Sequence, residues 1–403
     1  MTAPPATANR FKPFGTTIFA EMTALANEHG AVNLSQGFPD FDGPGFVKDA
    51  AARAIHDGIN QYSPMPGRPE LRHAIARFWA DRTGDEINPD TEVTVTPGCT
   101  GALASTFLGL FNPGDEVVMF EPFYDSYRAC AAMAGVTPRF VTLRPGEGKH
   151  ARRFVFDSAE LEAAFTPRTR AILVNTPHNP TGKVFSADEL DRIATLCRRH
   201  DAIAITDEVY DQLVYEPDLP HIRLATLPGM RDRTISLNSL GKTFSLTGWK
   251  IGWAIAPPHL TAAVRAAHQF LVYAVPGPLQ IGAAAALSQS DDYIADLVAT
   301  YRARRDQLSA ALSELGFQVF RPEGTYFIMA DHTSLRFATD VDLCRHLATE
   351  IGVAAIPPSA FYSDPARGKA LVRFAFCKTQ ATIDEAIRRL SRFREHAPGA
   401  SDR

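Results

Sequence analysis

No stretch of the 403 residues approaches the roughly 18 consecutive apolar residues that a membrane helix needs, so a membrane-spanning protein is not expected. Charge of one sign is also lacking. The 41 Lys and Arg face 45 Asp and Glu, a formal charge of −4, which excludes the basic footprint of a nucleic-acid or anionic-membrane binder. Cysteine is scarce and odd in number. Cys99, Cys130, Cys197, Cys344 and Cys377 are scattered, which excludes a disulfide framework, shows no metal-ligand spacing and fits a reduced, cytoplasmic setting. The opening MTAPPATANRFKPF has no apolar h-region, so no signal peptide is expected. No internal repeat and no low-complexity segment appear. Lysine is rare too, at eight residues, so the pair Lys242 and Lys250 in one loop stands out.

What is present is a soluble, globular composition: 45% hydrophobic and 21% charged residues. The length suggests two or three domains. Apolar spacing predicts helices at 18–29, 46–57, 69–82 and 157–165, the third with Pro69 in its first turn. Strands are expected at 92–96, 115–120, 136–143, 170–175, 202–206 and 234–238. Ser186 and Glu189 form a capping box that starts another helix. Strands alternating with helices from about residue 50 to 285 indicate a mainly parallel, helix-covered sheet. Beyond that the pattern changes: a long helix at 288–315, strands at 317–320 and 326–330, a helix at 340–351, strands at 353–356 and 371–376, and a last helix at 381–395. Residues 1–14 read as loose at the tip and 145–153 as polar and exposed.

The chemistry-bearing residues collect where strands end. Lys242 follows the strand 234–238 among small and hydroxylated residues, with Ser239, Ser245 and Lys250 nearby. A partly desolvated lysine loses its proton readily and attacks an aldehyde to form a Schiff base, although an isolated lysine in a Gly/Ser loop is usually a surface residue. The turn Pro97-Gly98-Cys99-Thr100-Gly101 joins a strand to a helix and so offers free amides and a dipole to an anion; many such turns are glycine-rich without binding anything. Tyr124 at a strand end can stack on a flat ring or simply fill the core. Asn179 sits in a rigid loop with Pro177 and Pro180, just past a strand that ends in Asn175. Asp207 ends a run so apolar that both faces must be covered, and a carboxylate there is costly unless paired. Tyr210 follows it. Arg373 lies within an apolar strand, where it either meets an anion bidentately or faces solvent beside a surface acid. Ligands on parallel sheets lie at C-terminal strand ends, and these residues converge there.

As an ordered set, SQGFPDF, NQYSPMPG, GCTGAL, NTPHNPTG, TDEVYDQLVY, SLGKTFSLTGWKIGW and VRFAF resemble the class I/II aminotransferases of fold type I over about residues 15–395. The wording is closest to the kynurenine aminotransferase/glutamine transaminase K and bacterial methionine aminotransferase branch. The resemblance implies an α/β fold: a large domain at 47–285 with a mainly parallel, seven-stranded sheet covered by helices, a smaller α+β domain at 286–403, and residues 1–46 joining the latter. It implies pyridoxal 5′-phosphate as cofactor and a homodimer as the active unit. Lys242 would carry the cofactor and shuttle a proton. Asp207 would pair with the ring nitrogen, Tyr210 and Asn179 with the ring hydroxyl, and Tyr124 would stack on the ring. Cys99 and Thr100 amides, Ser239 and Lys250 would hold the phosphate, joined by Tyr62 from a neighbouring subunit. Arg373, Asn179 and the Gly37 amide would clamp the substrate α-carboxylate, while Ile18, Phe19 and Tyr273 are candidates to shape the side-chain pocket. Tyr124 stands where Phe is common and Thr100 where some members have Tyr, which puts substrate identity in doubt.

The leading expectation is a ping-pong transfer from an L-amino acid of methionine, glutamine, kynurenine or aromatic type to a 2-oxo acid. A cysteine-S-conjugate or cystathionine β-lyase on the same scaffold, and an N-succinyldiaminopimelate aminotransferase, are the alternatives. A regulator borrowing the fold would need a DNA-binding domain ahead of it, and only about 15 residues precede the resemblance.

Overall fold

The computed structural model describes residues 7–148 and 151–393. The expectations for residues 1–6, for 149–150 and for the end of the last helix at 394–395 lie outside the described residues. The centre is a seven-stranded sheet, in the order Val93–Pro97, Ile251–Ile255, Thr234–Ser239, Ile203–Asp207, Thr169–Asn175, Glu116–Glu121, Thr137–Thr142. Every neighbouring pair is parallel except those made by Ile251–Ile255, which runs antiparallel to both its neighbours. Alternate residues of one strand enter different cores. Val118, Phe120, Ile172 and Val174 pack into one apolar cluster, while Val117, Met119, Ala171 and Leu173 pack into another. The period of two, with both faces covered by helices, explains why these strands read as continuous apolar runs.

Helix starts follow local chemistry. The capping box of Ser186 and Glu189 is formed in full at the head of Ala187–His200. Asp157 caps Ser158–Ala164 through the Ala159 amide. The expected helix at 288–315 is Asp291–Glu314, whose first turn carries Asp291 and Asp292 against the positive end of the dipole. It is preceded by a separate helix, Gly277–Ser288, with Pro278 in its first turn. The expected helix at 340–351 is α-helical only over Asp340–His346. A wider π-turn, Leu347–Ile351, completes it and stops at Gly352, where φ is +80°.

A smaller antiparallel sheet joins Gln318–Phe320, Phe327–Asp331 and Leu371–Ala375. The N-terminal segment belongs beside it, because Val32–Asn33 pairs in parallel with Val353–Ala354. Helix Ile18–Glu28 packs its Met22 and Ala26 into the same core as Phe327, Phe374 and Phe376. Among the described residues no helix is long and apolar enough to cross a membrane.

The sequence reading passes over the strand Ile251–Ile255. It wedges between two parallel strands, and its Gly252 is the reason it fits. A Cβ on Gly252 would stand closer than 3.0 Å to the backbone of Gly98 and Cys99. Gly252→Ala should therefore push the strand–helix turn at Gly98 outward and cost about 1–3 kcal/mol of stability, read from denaturant unfolding. A wild-type midpoint would show that the turn is free to move.

Candidate active site

The C-terminal ends of the parallel strands and the loops after them line a cavity of about 110 Å³ that opens to solvent. One wall begins at Pro97, where the helix Gly98–Leu110 starts with no side-chain cap. The first-turn amides, including those of Cys99 and Thr100, are thus donors with no capping side chain, at the positive end of a helix of 13 residues. Gly98 takes φ +71°, and a Cβ there would lie 3.3 Å from the Lys250 Nζ. Ser239 and Lys250 also line the cavity beside this turn. Donor amides, a hydroxyl and an ammonium at one helix start make an anion cradle.

Asp207 ends the strand Ile203–Asp207 and forms the opposite side. Register places it beside Asn175, whose Nδ2 donates to the Asp207 carbonyl at 2.8 Å while its Oδ1 accepts the Asn179 amide at 2.7 Å. The Asp207 carboxylate accepts the Tyr127 hydroxyl at 2.7 Å and the Val209 amide at 3.3 Å. It is 4% exposed. Burial raises its pKa, and Tyr127, Val209, Cys99 and Lys242 offset this only in part. Among the described residues it forms no ion pair, so the cavity presents a buried carboxylate suited to a cationic partner.

Lys242 lies in the short helix Leu240–Thr243 and faces the same space. Its Nζ is 5.8 Å from the centre of the Tyr210 ring. Burial lowers its pKa, and the like charge of Lys250 acts in the same direction. The Tyr210 phenol is buried and raised by desolvation. Its ring meets Tyr326 edge-on at 5.1 Å, and the Tyr326 hydroxyl donates to the Gly37 carbonyl at 2.6 Å. Tyr124 lines the cavity and packs edge-to-face on Tyr127 at 5.7 Å.

Arg373 settles its sequence-level alternatives by being 1% exposed. Its Nη1 donates to Asn179 Oδ1 at 3.2 Å and its Nη2 to the Ser35 carbonyl at 2.9 Å, while its Nε is buried with no partner. Phe327, Phe19 and Phe361 surround it at 4.1, 5.3 and 5.4 Å. Burial pulls its pKa down to about 10. No carboxylate pairs with it among the described residues, so a buried guanidinium bonded to the cavity-lining Asn179 is left without an anion. Gly37 lies close by, since a Cβ there would collide with the Phe327 ring.

Tyr62 and Tyr273 are not brought to this cavity within one chain. They meet each other edge-on at 5.9 Å on the surface, where Tyr62 is 89% exposed and Phe270 beside them 87%. Tyr127 and Asn175 are among the cavity residues to which the sequence reading gave no role. Tyr127 lies one helical turn after Tyr124, and Asn175 is the last residue of its strand; both positions are readable signals for side chains aimed at a strand-end site.

A sheet in this order, with its lysine and carboxylate in one strand-end cavity and its arginine bonded to the Asn179 beside them, defines an enzyme of fold type I. The solved structure of N-succinyldiaminopimelate aminotransferase from Mycobacterium tuberculosis matches with a TM-score of 0.92 and 49% identity, covering 96% of this chain and 99% of that one. Residues 29–390 match the family model described as aminotransferase class I and II. The chain belongs to that family and is a transaminase acting on small molecules. The kynurenine–oxoglutarate transaminase of Dictyostelium discoideum is 40% identical over 93% of this chain and 95% of its own length. The methionine aminotransferase of Escherichia coli is 38% identical over 95% and 97%.

The lowered pKa of Lys242 carries its own test. With a limiting aldehyde and borohydride trapping near neutral pH, mass spectrometry should find Lys242 labelled first among the eight lysines. Label spread evenly over the others would contradict a desolvated, nucleophilic amine.

Proposed function

We propose that the protein is a pyridoxal-5′-phosphate-dependent aminotransferase that moves the amino group of an L-amino acid to a 2-oxo acid in a ping-pong cycle. The observation that carries this is the opposition, across one cavity, of a desolvated Lys242 and a buried, unpaired Asp207, beside the anion cradle at Gly98. These residues fit the cofactor: an amine for its aldehyde, a carboxylate for its ring nitrogen and a cradle for its phosphate. When bound, the cofactor supplies an electrophilic carbon for the amino group and an electron sink that makes the substrate α-hydrogen acidic.

The chain's own residues do the rest. With the cofactor bound, Asp207 would keep a proton on the ring nitrogen, and Tyr127 would keep that carboxylate aimed. Tyr210 and Asn179 would donate to the ring hydroxyl, and Tyr124 would cover the ring face. Cys99 and Thr100 amides, Ser239 and Lys250 would bind the phosphate. With the cofactor bound, the Nζ of Lys242, its basicity lowered by burial, would be placed to take the substrate α-hydrogen as a proton. Arg373, Asn179 and Gly37 bind the substrate α-carboxylate, with Phe19 against the side chain. Tyr62 and Tyr273, exposed in one chain, complete the cavity of a second copy, which makes the active unit a homodimer. We divide the chain into an N-terminal segment 1–46, a cofactor domain 47–285 and a small domain 286–403, and place the protein in the cytoplasm.

For substrate, the aromatic ring set around Arg373 favours sizeable, uncharged side chains of methionine, glutamine, kynurenine or aromatic type. The 49% identity to the Mycobacterium tuberculosis N-succinyldiaminopimelate aminotransferase supports that substrate as a second reading. Spectra decide. The purified protein should show a visible cofactor band that bleaches with the true donor and returns with a 2-oxo acid, and Lys242→Ala should do neither. Bleaching only with N-succinyl-L,L-diaminopimelate would select the second reading. Pyruvate release from a β-substituted donor without bleaching would indicate a β-lyase.

Arg373→Ala should raise KM for amino and oxo acids alike by about 100-fold, as loss of a charge-assisted bidentate contact of roughly 3 kcal/mol implies. An effect on only one of the two substrates would mean the α-carboxylate binds elsewhere.

A further inference from the structure

The turn that carries Asp207 and Tyr210 has a second face. Of residues 207–211, Asp207, Val209 and Tyr210 line the cavity, whereas Glu208 and Asp211 do not. Glu208 is fully buried and accepts from the hydroxyls of Thr206 at 2.7 Å and Ser236 at 3.2 Å, and from His221 at 3.4 Å. The Arg223 guanidinium then joins both outward carboxylates. Its Nη1 bonds Glu208 and its Nη2 bonds Asp211 at 2.5 Å. Arg223 itself is held in place: its guanidinium lies 4.9 Å from the Trp79 ring centre, and its carbonyl accepts the Thr226 amide and hydroxyl at 3.0 and 2.8 Å.

Nothing in the proposed reaction uses Glu208, Asp211 or Arg223. Burial alone would raise the Glu208 carboxyl; the Arg223 charge, with His221 and Thr206, outweighs it and holds the group at about 2. A buried guanidinium shared between two carboxylates three residues apart fixes the backbone between them, because its fork allows one geometry. The intervening backbone is Val209 and Tyr210, and Asp207 is the residue before. The Glu208 amide is tied to the Leu237 carbonyl and the Asp211 amide to the Glu208 carbonyl, so a shift at the clamp passes directly into the turn.

We propose that Arg223 is a positioning residue: clamping Glu208 and Asp211 from behind the cavity, it sets where Asp207 and Tyr210 stand against the bound ring. The proposal rests on the roles assigned above to those two residues. It differs from plain structural support in predicting that cofactor electronics change when the clamp changes.

The test uses the cofactor-loaded enzyme, with Arg223→Lys and Asp211→Asn. A lysine keeps the charge but cannot fork to both carboxylates. The readouts are the pH midpoint of the visible absorption band, the dissociation constant of pyridoxal phosphate, kcat and KM, and the melting temperature. Arg223→Lys should shift the band midpoint, weaken cofactor binding and lower kcat by about tenfold or more while KM stays within about twofold. Asp211→Asn, which retains the Glu208 pair, should shift the same readouts in the same direction by less. An Arg223→Lys enzyme that melts earlier but keeps the wild-type midpoint and kcat would overturn the proposal. Should Arg223→Lys not accumulate as folded protein, Asp211→Asn decides: unchanged midpoint and kcat overturn the clamp, a shift supports it. A wild-type protein with no visible band would overturn the cofactor reading and the clamp's purpose with it.

Discussion

The structure depends on holding one buried carboxylate in a fixed place where water is excluded. Asp207 sits at the end of an inner strand of a sheet covered on both faces, and isolated burial of such a group would neutralise it. The protein meets that constraint with partial satisfaction. A phenol and a backbone amide donate to the carboxylate, a thiol stands by, and no cation closes the pair. What is left is an electrostatic demand for a positive group in the cavity. The strand register, the Asn175 bridge to Asn179 and the packing of Tyr124 on Tyr127 all serve to hold that demand in one place.

A second unsatisfied charge mirrors the first. Arg373 is buried among three phenyl rings with its Nε unpartnered, and its other nitrogens bond only neutral groups. Those two groups and the arginine come from far apart in the chain: Ser35 from the N-terminal segment, Asn179 from the loop after a strand of the large sheet, Arg373 from the small sheet. A carboxylate arriving at this point would satisfy the guanidinium and tie the three parts together. Asn179 touches both needs at once, since its amide is fixed by Asn175 beneath Asp207 and its side-chain oxygen by Arg373. One asparagine thus couples the proposed cofactor seat to the proposed substrate seat.

The apolar surface around Tyr62, Phe270 and Tyr273 has a different character. These large side chains are exposed together in one chain, and the aromatic pair is already formed. Covering such a patch is worth roughly 25 cal/mol per Å² of apolar area. A second copy that buried it would bring those rings toward a neighbouring cavity, which is the arrangement proposed for the working enzyme.

Much of this was readable in the one-dimensional chain because it is local. Helix starts at Ser186 and Pro69, the apolar strands and the glycine turn at Gly98 follow from capping, period and backbone freedom within a few residues. The motif order was legible too, and so Lys242, Asp207, Tyr210, Asn179 and Arg373 could be chosen before any geometry. Tertiary structure alone decided the rest. Whether Arg373 faced solvent or core depended on which sheet face three distant segments covered. The partnership of Tyr127 with Asp207, the antiparallel entry of Ile251–Ile255, and the clamp of Arg223 on Glu208 and Asp211 are contacts between residues far apart in sequence or on opposite sides of a turn. Residue types and spacing carry propensity and pattern; they do not carry distance. Only the folded chain, by removing water from these groups, turns a lysine, a carboxylate and an arginine into a site with shifted pKa values and unmet charge.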